Sequence, residues 1–173
     1  MSEVASVGID SRDERDFSTL RLRQALPSDL EQLDELEYDA VEDEPFSRRQ
    51  FQHLLTRAHA LTVVLEDTQY VWHEEQSLLG YGTLLLRQRS VSARLYSFAL
   101  HPCIRRQGQG RRLLSALEEH AIQCQCQRMV LEVRADNRAA LSLYRACGYR
   151  AIKWVDQFYH DGCAAYRMSK PLA

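Results

Sequence analysis

A chain of 173 residues, 45% hydrophobic and 27% charged, is long enough for one domain with its own core and too apolar for disorder. It holds no apolar run of about 18 residues, which excludes a membrane-spanning helix. Its 22 basic and 24 acidic residues give a net charge of −2, which removes the simplest case for non-specific nucleic-acid binding.

The first residues, MSEVASVGIDSRDERDF, lack the basic start and apolar stretch of a secretory signal, so a cytoplasmic location is expected. Residues 1–18 are polar and unpatterned and read as a flexible tail before one domain, residues 19–173. Leu20 to Leu26 alternates apolar and basic residues, the pattern of a strand. Pro27-Ser28-Asp29 opens a helix with Leu30, Leu33, Leu36 and Ala40 on one face, and Pro45 breaks it. Ser47 caps a second helix carrying Phe51, Leu54, Leu55 and Ala58. Leu61–Leu65, Ser77–Leu86 and Ala93–Leu100 read as strands, the last apolar enough to be central. Gly110 to about Gln123 is a helix facing inward with Leu113, Leu114, Leu117 and Ala121, and Met129–Arg134 is a strand. Arg138–Ala146 is a helix ending at Gly148. Tyr149–Phe158 and Ala164–Ser169 close the chain as strands. The order β-α-α-β-β-β-α-β-α-β-β predicts an α/β fold with a mixed sheet.

The five cysteines are an odd number in a chain without an export signal, which favours free thiols in a reducing compartment. The Cys124-x-Cys126 pair has no second ligand pair, and the six histidines are scattered without metalloprotease spacing, so no metal is expected.

The most informative segment is Leu95 to Arg112, LYSFALHPCIRRQGQGRR. A buried strand runs into Pro102 and then into a glycine loop that opens a helix. Glycines let successive N–H groups turn to one side, the helix start adds its unpaired N–H groups, and Arg105, Arg106, Arg111 and Arg112 add charge. Together they either form a cradle for a pyrophosphate or are a glycine turn before an ordinary helix with a solvated basic face. Leu113 stands where a Rossmann fingerprint needs its third glycine, and the Gly-Lys-Ser/Thr of a P-loop is absent.

Arg105-x-x-Gly108-x-Gly110 resembles the Arg/Gln-x-x-Gly-x-Gly/Ala motif of the GNAT N-acetyltransferases. Downstream, LEVRADN (131–137) with Ala140, Leu143-Tyr144 and Gly148-Tyr149 resembles the matching block of their protein N-terminal branch, which contains the bacterial ribosomal-protein-alanine acetyltransferases. The resemblance covers roughly residues 19–172 and implies a GNAT fold: one mixed, mostly antiparallel sheet of about seven strands with about four helices. It implies acetyl-CoA as cosubstrate and transfer to an amine, a protein or peptide α-amine by this branch. The alternatives are a small-molecule amine, polyamine or aminoglycoside-like, and a non-catalytic acyl-CoA sensor. The expected partners are acetyl-CoA and the acceptor, without nucleic acid or membrane, in a monomer or homodimer.

The same resemblance gives the expected site. Arg105, Arg106, Gln107, Gly108, Gln109, Gly110 and Arg111 hold the pyrophosphate. The backbone of Phe98, Ala99 and Leu100, with Asn137, Ala140 and Tyr144, lines the pantetheine arm. Glu132 is the candidate base, since a carboxylate set in an apolar strand suits a proton acceptor. The bland alternative is a strand carboxylate paired with Arg134 or a neighbouring strand. Tyr144 is the candidate acid, since a phenol keeps its proton at neutral pH, although it also falls on the stripe Ala140, Leu143, Tyr144 and Cys147 that a core would use. Asn137 can also cap the helix starting at Arg138. Cys103, beside the basic loop, is a weaker candidate for an acyl-enzyme nucleophile. The stretch Gln157–His160 only loosely resembles the branch's acceptor-shaping aromatic pair. Lastly, Glu31, Asp34, Glu35, Glu37, Asp39, Glu42, Asp43 and Glu44 make an acidic run that either attracts a cationic acceptor or is a solvated face.

Overall fold

A computed structural model describes residues 17–56, 59–69 and 77–172. Seven strands form one sheet in the order β1-β2-β3-β4-β5-β7-β6. They are β1 (Leu20–Gln24), β2 (Ala60–Asp67), β3 (Leu78–Leu86), β4 (Ser92–Leu100), β5 (Arg128–Arg134), β6 (Arg150–Val155) and β7 (Ala165–Pro171). Every neighbouring pair is antiparallel except β4 with β5. The helices are α1 (Leu30–Ala40), α2 (Arg48–Thr56), α3 (Gln109–Gln123) and α4 (Arg138–Ala146). The architecture is the mixed sheet with four helices that the element order predicts. Most of the stretch expected as a tail, residues 1–18, lies outside the described residues, as does Ala58. Phe17 and Ser18 belong to a 3-10 turn, and Phe17 packs on Leu20, Leu65, Leu79 and Ile104.

Two layers of helix cover the sheet. Leu33 and Leu36 of α1 and Phe51 of α2 pack on Val64, Tyr81 and Ala99. On the other face, Leu113, Leu114 and Leu117 of α3 and Leu141 and Tyr144 of α4 pack on Met129, Leu131 and Val133 of β5. The alternation read from MVLEVR therefore divides as expected, with Glu132 and Arg134 turned to the α1–α2 side. Close approach of α3 requires the absence of a side chain at Gly82: a Cβ there would stand 2.5 Å from Leu117 Cδ1 and 3.3 Å from Phe98 Cδ2. Leu117 is fully buried and cannot yield. Gly82→Ala is expected to cost about 1–3 kcal/mol by overpacking, seen as a lower urea midpoint at unchanged m-value.

α1 ends at Ala40, five residues short of Pro45. Glu37, near its C-terminus, anchors the connection into α2. Its side chain is buried, accepts the Tyr81 hydroxyl at 2.6 Å and accepts the Phe46 backbone N–H at 2.8 Å. One carboxylate thus pins the α1–α2 connection to β3. Burial raises the Glu37 pKa above the ordinary carboxylate value, opposed by these two hydrogen bonds. The closing strands are shorter at one end or shifted: β6 stops at Val155 rather than Phe158, and β7 runs on to Pro171. Among the described residues no helix is long and apolar enough to cross a membrane.

Candidate active site

The strands β4 and β5 pair over only four positions, from Ser92 with Arg128 to Leu95 with Leu131. Beyond Leu95 no β5 partner is recorded for β4, although β5 continues to Arg134 and β4 to Leu100. The parting follows from a bulge. On the other edge of β4 the register with β3 jumps from Thr83–Ser97 to Leu84–Leu95, which leaves Tyr96 as an extra residue. Its ring stacks on Phe46 of the α1–α2 connection, with centroids 5.3 Å apart. Composition could not show this bulge. Phe98, Ala99 and Leu100 thus lie where the edge of β4 facing β5 is open. Phe98 packs toward Tyr144, and Ala99 is buried under α1 and α2.

Past β4 the chain makes a 3-10 turn, Pro102–Ile104, anchored by fully buried Ile104. The loop then adopts left-handed backbone at Arg106 (φ 60°) and Gly108 (φ 78°) before α3 begins at Gln109. At Gly108 this conformation disfavours any side chain, and a Cβ would point into open space. The first α3 hydrogen bond is Arg112 N–H to Gly108 O at 3.1 Å, so the earlier N–H groups of the turn have no helical partner. Gly108 and Arg111 border a groove of about 450 Å³ with Leu22, Arg112, Ser115, Ala116 and Glu119. Gln109 is buried, and its Oε1 has no hydrogen-bond partner among the described residues. The unpaired turn N–H groups and Arg111 fit an anionic, pyrophosphate-bearing cosubstrate, whereas the Gln109 oxygen can only accept a donor.

The arginines divide their labour. Arg105 is turned inward, donating from Nε to Leu100 O at 3.0 Å and from Nη2 to Ala40 O at 2.8 Å, so it ties the loop to β4 and α1. Arg112 reaches Leu20 O at 2.7 Å. Arg106 is exposed and Arg111 borders the groove. Gln107 donates to Cys103 O at 3.4 Å. Asn137 caps α4, its Oδ1 accepting Ala140 N–H at 3.0 Å.

Glu132 meets two guanidinium groups, and neither belongs to Arg134. Arg94 of β4 donates to Oε2 from Nε at 3.0 Å, with Nη2 2.9 Å from the same oxygen; Arg167 of β7 donates to Oε1 at 2.9 Å. The Glu132 side chain is 7% exposed and both arginine side chains about 40%. Arg134, two residues on, gathers three loops. It bonds Asp161 at 2.6 Å and Asp136 at 3.1 Å, lies 3.6 Å from Asp43, and sits over the Tyr159 ring at 4.8 Å. Hydrogen bonding to Asp161 and Asp136 raises the Arg134 pKa, and the guanidinium in turn lowers those of both carboxylates. Glu44 accepts the His160 backbone N–H, which closes the α1–α2 connection onto the β6–β7 connection. The acidic run is therefore partly consumed: Glu37 is buried, Asp43 and Glu44 hold this junction, and Glu31, Glu35 and Glu42 stay exposed.

Tyr144 sits on the other side of the parted strands, 6% exposed, edge-on to Phe98 and Tyr149. Its hydroxyl makes no hydrogen bond among the described residues. Burial raises its pKa, so it keeps its proton, and neighbouring Tyr159 and Cys147 act in the same direction. The Tyr159 phenol is pushed up to about 12, chiefly by burial, within reach of the Glu132 and Arg134 charges. Tyr159 therefore lies within electrostatic range of Glu132, on the α1–α2 side of the sheet, and of Tyr144, on the α3–α4 side. Sequence reasoning reached it only through the loosely matched Gln157–His160 stretch. Arg94, Arg167 and Tyr96 gave no sequence signal, because their role depends on cross-strand register.

Residues 28–149 match the model of the acetyltransferase (GNAT) family. The L-methionine sulfoximine/L-methionine sulfone acetyltransferase of Salmonella typhimurium is 28% identical over 108 residues, 53% of this chain and 63% of that one. The N-alpha-acetyltransferase RimI of Mycobacterium tuberculosis is 33% identical over 97 residues, 54% of this chain and 60% of that one. The matches thus span less than two thirds of these relatives. In fold, the chain is similar to the ribosomal-protein-S18-alanine N-acetyltransferase of Escherichia coli, with a TM-score of 0.77 at 24% identity over 89% of this chain and 94% of that one.

Proposed function

The chain belongs to the GNAT acetyltransferase family, and from that premise we propose that it transfers an acetyl group from acetyl-CoA to a primary amine, a protein or peptide N-terminal α-amine. The observation that carries this reading is the parting of β4 and β5 beside the bulge at Tyr96, with Glu132 on the α1–α2 face of the sheet, Tyr144 on the α3–α4 face and the Arg106–Gly110 loop following β4. Bound acetyl-CoA supplies the thioester carbonyl that the amine attacks. The turn N–H groups around Gly108 and Gly110, with Arg106 and Arg111, hold its pyrophosphate. The open edge of β4 at Phe98–Leu100 orients the arm beside Asn137 and Ala140.

Glu132 accepts the proton of the incoming ammonium, directly or through a water. Oε1 takes a single guanidinium N–H, from Arg167, and keeps a second lone-pair direction for this purpose. Arg94 and Arg167 fix its rotamer. Tyr144, a buried phenol that holds its proton, returns one to the departing sulfur. Arg134, Tyr159 and Phe46 shape the wall against which the acceptor lies.

A second reading, a small-molecule amine that carries a carboxylate, is favoured by Arg94 and Arg167, whose remaining N–H groups flank the same carboxylate face. Thiol release from acetyl-CoA, assayed across N-terminal peptides, amino acids and polyamines, separates the two readings. No release with any acceptor returns the chain to a sensor role. The cosubstrate site is tested by Arg106→Ala with Arg111→Ala, chosen because Arg105 and Arg112 are committed internally. Calorimetric titration is expected to show acetyl-CoA binding weakened roughly ten- to a hundredfold. Unchanged affinity moves the pyrophosphate elsewhere.

A further inference from the structure

Of the five thiols, one faces a base. Cys103 lies in the turn Pro102–Ile104 that joins β4 to the glycine loop. Its Sγ is 2.8 Å from His101 Nδ1, and the same nitrogen accepts the Cys103 backbone N–H at 3.2 Å. A ring nitrogen that accepts a backbone N–H carries no hydrogen, so Nδ1 is the acceptor and Nε2 bears the proton. Nε2 lies 3.9 Å from Asp39 Oδ2 of α1. Thiol and base are thus assembled in one turn, with a carboxylate of α1 near enough to favour the imidazolium that forms when an adjacent base activates a nucleophile.

The other four thiols lack this. Burial pushes the Cys126 and Cys147 thiols up. Cys163 donates its thiol to Ala164 O at 3.4 Å. Cys124 is exposed, but no imidazole hydrogen-bonds it among the described residues. Cys103 is half-buried, and Arg105 and Arg106 follow it in the chain, so an anionic reagent is favoured over a cationic one.

We propose that Cys103 is a reactive thiol, activated by His101 with the Asp39 charge favouring the imidazolium, that exchanges with small-molecule disulfides. The Sγ proton passes to His101 Nδ1. The thiolate forms a bond to one sulfur of the disulfide, whose S–S bond breaks. The other half leaves as a thiolate and takes the proton from His101. Cys103 is oxidised to a mixed disulfide, and one equivalent of small thiol is formed. The adduct stands at the root of the loop, where Gln107 is tied to the Cys103 carbonyl.

The test uses glutathione disulfide on the folded, full chain, with acid quenching and peptide mapping of mixed disulfide at each cysteine over time. It does not depend on acetyl transfer. Cys103 is expected to react about tenfold faster than the more exposed Cys124. His101→Asn keeps a side-chain oxygen to accept the Cys103 N–H and hold the turn, and is expected to slow Cys103 about tenfold without changing Cys124. Cys103 reacting no faster than Cys124, or at the wild-type rate in His101→Asn, overturns the proposal. Should His101→Asn fail to fold by circular dichroism, Asp39→Asn takes its place: slowing at Cys103 alone supports the assignment, and an unchanged rate overturns it.

Discussion

Glu132→Gln is expected to lower kcat by roughly 10²–10⁴-fold and to leave acetyl-CoA affinity unchanged. The amide keeps the shape of the side chain but cannot take a proton from the acceptor. It also replaces one acceptor oxygen by a donor that faces a guanidinium, so a stability loss of about 1–3 kcal/mol accompanies the change. A carboxylate that merely braces β5 against its neighbours would show the same loss of stability, so the comparison that decides is Arg94→Gln. That variant removes half of the brace and spares the carboxylate. Its kcat should fall far less than that of Glu132→Gln while its melting temperature falls. Equal losses of kcat in Glu132→Gln and Arg94→Gln would reduce Glu132 to a strut.

Tyr144→Phe is expected to cost roughly 10²–10⁴-fold in kcat at little change in melting temperature. The asymmetry comes from the local structure. The ring packs edge-on against Phe98 and Tyr149, contacts that Phe retains. The hydroxyl has no protein partner among the described residues, so its removal leaves no hydrogen bond broken in the fold. Stopped-flow measurement of thiol release beside calorimetric unfolding checks both halves. A wild-type rate would assign proton return to another group, and Tyr159 would be examined next.

The residue pattern carried the element order because strand and helix periods are local. MVLEVR alternates, Leu113, Leu114 and Leu117 recur at helical spacing, and the glycine loop announces the start of α3. Neither the parted strands nor the bulge could be read from composition, because an extra residue at Tyr96 is a statement about register with β3, set by partners more than ten residues away. The surroundings of Glu132 were hidden for the same reason. Arg94 and Arg167 are 38 and 35 residues distant in sequence and meet it only across the sheet. The Glu37–Tyr81 bond spans 44 residues. Arg105 shows a different limit: its motif position invites a phosphate contact, yet its guanidinium is committed to two carbonyls.

The four-position ladder between β4 and β5 has a mechanical consequence. β1 to β4 form a meander in which each strand pairs with a neighbour in sequence, and β5 to β7, with α4, form a second compact unit. In the sheet, the two halves are sewn together by four residue pairs; elsewhere α3 packs on β2 and β3 from one half and on β5 from the other, and Arg94–Glu132 and Glu44–His160 add polar ties. The molecule therefore reads as two folding units joined by a short seam, one helix and a few polar ties. A molecule lodged in the gap would bridge the halves and make them unfold as one.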